Sequence, residues 1–359
     1  MGKKIGIITL FGYKNYGNRL QMFATQKVYE TLGYNAEVIK VKDLKYKEPF
    51  LIRIKIFIKF ILQYKSNFNK SNLKRARNTS FKIHAGQHYN ESFKYINPLL
   101  ISDIFHESYS FLSVGSDQIW GWFNYDIAEF IFLQFAPKEK RIALAPSFGS
   151  SKIDEEHAEV FSKGLKGFNY LSVREESGAT IIKNLTGLNA TVLCDPTMCL
   201  SKEEWLNFSE EHQCKPAEKY LLTYFLGKVP PKAQDIIDKF SCEFKIIQLN
   251  SFESPEYYAI NPSEWVSYVK DASLFLTDSF HGVVFAIIFQ TPFAVYKRFG
   301  GENMQTRITN ILEKFNLENR FEILVNHPFL MKMDFSGTEE ILNQENSKVY
   351  SYLQKSLNL

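Results

Sequence analysis

The 359-residue sequence has no uninterrupted apolar run near the ~18 residues needed to cross a bilayer as a helix. Its amino-terminal Met-Gly-Lys-Lys leads into Ile5-Gly-Ile-Ile-Thr-Leu10, a first strand and too short for a secretory signal, so a cytoplasmic protein is expected. Cysteine is scarce. Cys194, Cys199, Cys214 and Cys242 show neither CxxC nor mixed Cys/His spacing, which argues for small buried side chains in a reducing compartment. His84, His88, His106, His157, His212 and His327 also lack partners at ligand spacing, and no metal is expected. The chain carries no GxGxxG motif, no P-loop, no internal repeat and no low-complexity tract. A net charge of only +4 gives no support to a nucleic-acid partner.

That charge is unevenly spread. Between Lys40 and Lys82, thirteen Lys and Arg face two acids, Asp43 and Glu48, so this segment carries +11 and the remainder −7. Within it, Leu51 to Lys65 is apolar and cationic, but its charges do not gather on one helical face. Two readings stand: a partly buried helix pair with solvated lysines, or a surface that docks on anionic lipid.

Strand and helix signals alternate along most of the chain, which predicts α/β architecture with largely parallel sheets. Strands are predicted at Ile5–Leu10, Glu37–Val41, Phe111–Val114, Ile142–Ala145, Tyr170–Val173 and Thr191–Leu193, with a helix over Leu20–Leu32. Ser201-Lys-Glu-Glu204 is a capping box that opens another helix. The polar stretch 210–218, which includes Pro216, reads as a linker. A second series then starts with a strand at Tyr220–Leu226 and closes with a strand at Phe293–Tyr296. Two Rossmann-like domains facing each other across a cleft are expected, at 1–209 (with a basic helical insertion near 42–82) and 219–335. A C-terminal helix within 336–359 is expected to pack back on the first domain.

Several polar loops follow predicted strands, where open α/β sheets bind ligands. The first holds Asn15, Tyr16, Gly17, Arg19 and Gln21; a Gly/Asn turn is the alternative to an anion cradle there. The second holds Gly115, Ser116, Asp117 and Gln118, and the third Ser147. Arg174 ends another strand, as either a ligand cation or a partner of Glu175. Asp195-Pro-Thr197 reads as a strand-exit turn. Lys297 and Arg298 follow the last strand and Arg307 opens the next helix; two or three such cations can hold a phosphate or carboxylate, with a surface charge as the alternative for Arg307. The strongest signal is Leu274-Phe-Leu-Thr-Asp278-Ser279-Phe280-His281-Gly282, where a buried strand meets an apolar helix. Histidine at that junction is suited to moving a proton. Asp278 either assists that chemistry or caps the helix.

In this order the motifs resemble the polysaccharide pyruvyl transferase family, over roughly Lys4 to Leu317. The resemblance rests on Asn15-Tyr-Gly17 with Leu20-Gln21, Val114-Gly-Ser-Asp-Gln-Ile-Trp120, Ser147-Phe-Gly149, Ser172-Val-Arg174-Glu-Glu-Ser-Gly178, Asp195-Pro-Thr197 and Thr277-Asp-Ser-Phe-His-Gly282. It implies a glycosyltransferase-B-like pair of domains and transfer of a pyruvyl unit from phosphoenolpyruvate to sugar hydroxyls. A ketal would form on a glycan or lipid-linked saccharide, with no cofactor beyond the donor. The family's key histidine falls on His281 and an arginine on Arg174. Some branches carry a basic residue two places before that histidine, where this chain has Ser279, leaving Arg298, Lys297 or Arg19 to replace it. Two other classes compete: a nucleotide-sugar glycosyltransferase, and a non-catalytic glycan-binding relative.

Overall fold

The structure, a computed structural model, describes residues 3–42, 64–298, 305–327 and 330–359. Of the apolar and cationic stretch 51–65, on which the lipid-docking reading rests, residues 51–63 lie outside the described residues. No helix among those described is long and apolar enough to cross a membrane.

The first half of the chain builds β1 (Lys4–Ile8), α1 (Tyr16–Thr31), β2 (Asn35–Val38), α2 (Tyr64–His88), β3 (Phe111–Val114) and β4 (Arg141–Ala143). It continues with α3 (Glu155–Leu165), β5 (Ser172–Val173), α4 (Glu176–Thr186), β6 (Thr191–Val192) and α5 (Lys202–Phe208). Strands β2-β1-β3-β4 form one parallel sheet and β5-β6 a separate parallel pair. Ser172 joins them, its Oγ bonding Ala143 O and accepting the Ala145 N–H.

The second half contains β7 (Tyr220–Tyr224), α6 (Pro231–Phe240), β8 (Lys245–Leu249), α7 (Pro262–Lys270), β9 (Leu274–Thr277), α8 (Phe280–Phe289) and β10 (Phe293–Val295). Helices α9 (Gln305–Lys314) and α10 (Thr338–Ser356) follow. Its sheet is again parallel, in the order β10-β9-β7-β8. The chain is thus α/β, with two Rossmann-like units.

Helix α1 starts before the predicted Leu20, and α8 starts two residues before Gly282, where the apolar helix was expected, for the same local reason. Helix α1 reaches back to Tyr16 because Asn15 Oδ1 accepts the Asn18 N–H at 3.2 Å. Helix α8 begins at Phe280 because Ser279 Oγ accepts the Gly282 N–H at 3.3 Å. A side-chain oxygen that satisfies an orphan N–H extends a helix by a turn. His281 consequently lies inside the first turn of α8.

The units share one core. Tyr16 is fully buried, stacks on Trp265 (5.7 Å between rings, 20° interplanar) and donates its hydroxyl to Ile260 O at 3.0 Å. Trp205 packs edge-on against Phe285 at 4.7 Å. Helix α2 also bridges the units: Arg77 donates to Tyr258 O at 2.6 Å and Asn250 Oδ1 at 2.8 Å, and His84 bonds Ser263. The 210–218 segment is tethered as well, with Lys215 Nζ 2.6 Å from Ser267 Oγ. In α10, Tyr352 donates to Ala143 O at 2.7 Å, and Asn346 donates to Cys199 O at 3.1 Å. Cys194 and Cys199 are buried as expected for thiols in a core, but Cys214 is half-buried and Cys242 exposed.

Candidate active site

In each sheet the strand order reverses beside its first strand, between β1 and β3 and between β7 and β9. Loops at the carboxyl ends of these strands therefore open onto a crevice. The two crevices meet. Gly17, in the first turn of α1, lies so close to His281 of α8 that an added Cβ would collide with Nδ1 of the imidazole. Two motifs 264 positions apart in sequence thus form one wall.

His281 is 8% exposed, and its Nε2 has no hydrogen-bond partner. The acid facing it is Asp195, with Oδ2 at 3.6 Å, an ion-pair distance. Asp195 is the hub of the site. Its Oδ2 lies 2.8 Å from an Arg174 terminal nitrogen and 3.0 Å from Ser116 Oγ. Its Oδ1 accepts the Thr197 N–H at 3.1 Å and the Thr197 hydroxyl at 2.8 Å. Burial alone would push its pKa up; His281, Arg174 and the Thr197 N–H reverse that and hold it far below the usual carboxylate range.

Arg174 is buried among three carboxylates: Asp195, then Asp117 and Glu175, each of the latter at 3.7 Å. Burial opposes its charge, but these acids outweigh it and raise its pKa. Its Nε and second terminal nitrogen, Glu175 Oε2 and His281 Nε2 are all buried without hydrogen-bond partners. Four such atoms in one place are rare in a finished core and mark a candidate ligand site.

The first-domain loops support this cluster. Gln21 links two of them, donating to Thr9 Oγ1 at 2.9 Å while its Oε1 accepts the Ser116 N–H at 3.2 Å. Gly115 has φ +119°, and an added Cβ would strike Leu144 O, so this backbone position admits only glycine. Ser147 donates to Glu175 Oε1 at 2.6 Å, and the Gln118 side chain lies against Gly149. Gly282 packs closely against Thr277, which fixes the entry of α8. Asn15 and Ser279 serve as the two helix caps.

Other candidates lie elsewhere. Both Asp278 oxygens are occupied by the Leu226 N–H (2.7 Å), the Gly227 N–H (2.9 Å) and Arg298 Nε (3.3 Å). Asp278 neither orients His281 nor caps α8; it ties the loop after β7 to the one after β9, and Arg298 is its counter-ion. Arg19 brings no charge to the cleft. It is fully buried, paired with Glu91 at 2.6 Å and 4.0 Å from the Tyr89 ring centroid. Tyr16 is an interdomain core residue, and Lys297 is exposed.

Asp195 and Arg307 carry more than their sequence context indicated. The signal for Asp195 was its place after β6, where the other site loops also follow strands. Arg307 is 7% exposed rather than on the surface. Beside this cluster a cavity of about 400 Å³ is lined by Arg174, Asp195, Met198, Phe280, Arg307 and Ile311, among others. No group of three His, Cys, Asp or Glu able to hold a metal occurs among the described residues.

Fold and site together define a two-domain α/β protein with a charged, histidine-bearing cleft between its domains. The sequence pattern of polysaccharide pyruvyl transferases matches residues 15–298, and the chain belongs to that family, which makes it a transferase acting on polysaccharide. No curated protein matches the sequence. Among solved structures, S. aureus MnaA with UDP is 11% identical, covering 100% of this chain and 98% of its own, at TM-score 0.49. UDP-N-acetylglucosamine 2-epimerase from Rickettsia bellii is 9% identical, with coverages of 100% and 98%, at 0.46. A S. aureus TarM mutant in complex with Fondaparinux, alpha-GlcNAc-glycerol and UDP is 10% identical, with full coverage of both chains, at 0.48.

Proposed function

We propose that the cleft transfers a pyruvyl group from phosphoenolpyruvate to two hydroxyls of a glycan, forming a cyclic ketal and releasing phosphate. The observation that carries this reading is the meeting of His281, Asp195 and Arg174, with unsatisfied buried donors and acceptors between them.

The chemistry requires a proton at the methylene carbon, which leaves the adjacent carbon with oxocarbenium character. One sugar hydroxyl adds there. A second closes the ring as the phosphate–carbon bond breaks. Of the two hydroxyl protons, one ends on the new methyl group and the other on the departing phosphate. The His281 imidazole is the group suited to carry a proton between these positions. Asp195 holds the imidazole and stabilises its charged form, while Arg174 faces the donor's negative charge as it moves to the leaving phosphate. Gly17 sets the ring's place by leaving room for it.

The test is phosphate release from phosphoenolpyruvate with a panel of glycan acceptors, coupled to thermal-shift titration with phosphoenolpyruvate and UDP-sugars. Wild type is expected to be stabilised by phosphoenolpyruvate, since a ligand of the folded state raises its stability by mass action. His281→Ala is expected to lose activity by a factor of ~10² or more while keeping its fold. Stabilisation by a UDP-sugar and not by phosphoenolpyruvate would establish a glycosyltransferase instead. Full activity in His281→Ala would remove the imidazole from the chemistry.

A further inference from the structure

Glu175 stands at the N-cap of α4, yet its side chain bonds none of that helix's free N–H groups. A carboxylate in this place is ordinarily drawn to those donors, by hydrogen bonding and by the helix dipole. Here it is buried and lines the cavity instead, together with Arg174, Asp195 and Phe280. Oε1 is fixed: the Ser147 hydroxyl donates to it at 2.6 Å, and Ser147 Oγ in turn accepts the Gly149 N–H at 3.0 Å. Oε2 is buried and receives no hydrogen bond. Arg174 Nε lies 3.7 Å from it, an ion-pair distance beyond hydrogen-bond reach. Asp195 and Asp278, by contrast, have both oxygens occupied by protein donors.

A carboxylate oxygen removed from water without a donor is costly, and it identifies what is missing: an O–H or N–H group. It also identifies what does not belong there, since it repels a phosphate or carboxylate oxygen. A neutral polyhydroxyl molecule meets both conditions. We propose that Glu175 Oε2 receives a hydroxyl of the glycan acceptor and takes its proton as that oxygen attacks. The assignment rests on the proposed function. Arg174 lies between the two proton carriers: one terminal nitrogen pairs with Asp195, beside His281, and Nε faces Glu175. The protons then balance. His281 gives its proton to the methylene carbon, and the first hydroxyl oxygen bonds the adjacent carbon while its proton passes to Glu175. The second hydroxyl displaces phosphate, and its proton returns to His281. The proton held by Glu175 leaves with the phosphate, so both side chains end as they began.

The experiment compares wild type with Glu175→Gln and Glu175→Ala. Phosphate release from phosphoenolpyruvate is measured with methyl glycosides of glucose, galactose and mannose, and phosphoenolpyruvate and the glycosides are each titrated by thermal shift. Glu175→Gln keeps the shape of the side chain and is expected to retain the phosphoenolpyruvate-induced shift while kcat falls by about 10². Glu175→Ala is expected to lose the glycoside-induced shift, and added formate, a small carboxylate, to restore part of its activity. Support of the fold alone gives no such rescue. Wild-type kcat in Glu175→Gln would overturn the proposal. So would an activity loss that comes with loss of the phosphoenolpyruvate shift and without formate rescue, which would make Glu175 a positioning residue for Arg174. No phosphate release by wild type with any glycoside would count against the proposed function, and the glycoside shifts then decide alone. A shift lost in Glu175→Ala would keep the hydroxyl site, and no shift in wild type would remove it as well.

Discussion

Gly17 carries no side chain because His281 occupies the space one would fill. Alanine there has two opposed effects on stability. It favours the helix by roughly 1 kcal/mol, whereas crowding in a packed site costs about 1–3 kcal/mol. Gly17→Ala is therefore expected to lower stability by no more than about 2 kcal/mol in urea titration but to cut kcat by at least tenfold, because the imidazole must swing away from its place beside Asp195. Asp195 behaves in the opposite way, coupling stability to activity. Asp195→Asn leaves Arg174 without its closest counter-ion and is expected to cost about 3 kcal/mol along with most of the activity. Since the folded state depresses the Asp195 pKa, its contribution is complete above the ordinary value of 3.8 and drains away as pH falls below it. Acid unfolding curves for wild type and Asp195→Asn are thus expected to converge below about pH 4. His281 was legible from its strand–helix junction, and Arg174 from its strand end. Asp195 belonged to a motif of the resemblance but read locally as a turn residue, because nothing local reveals that three other loops will aim at its carboxylate.

At the scale of elements, α2 shows how a segment that looks like an insertion becomes structural. Arg77 and His84 reach the second unit from it, and His84 is held neutral there: burial, then the nearby His88 and Arg19, lower its pKa to about 3. The unfolded chain binds a proton near the ordinary 6.5 and the folded chain does not. The docking of α2 is therefore at full strength above pH 6.5 and weakens as pH falls toward 3, at up to about 1.4 kcal/mol per pH unit. His84→Gln is expected to flatten the fall in the urea midpoint between pH 7 and 5; an unchanged slope would point to another group. The sequence marked this region by its charge and as a helical insertion, without showing what it would pack against. Its Arg77–Tyr258 contact depends on a partner surface nearly two hundred residues away.

For the whole molecule, the shared core changes how the cleft should behave. Domains joined by small polar interfaces move freely, whereas a large apolar one holds them. Tyr16, Trp205, Trp265 and Phe285 make this interface apolar and aromatic. Tyr16→Ala is expected to cost about 3–5 kcal/mol, read from chemical denaturation, and to lower activity by loosening the position of Gly17 next to it. Helix α10 adds a second brace. Glu345 holds Lys314 of α9 at 2.6 Å while Tyr352 and Asn346 bond the first unit, so α10 spans both halves behind the cavity.

The sequence by itself determined the α/β alternation, the two parallel series, the order of the loops after the strands and the histidine at the most apolar junction. These follow from periodicity and capping, which act over a few residues. Only the tertiary structure decided which polar residues gather at the candidate site and which serve the frame. Asp278, Arg298, Arg19 and Tyr16 share loops and motifs with the site yet are spent on the frame, while Asp195 and Arg307 reach the cavity. The reason is physical: a buried charge goes wherever a partner offsets its desolvation, and those partners lie far away in sequence.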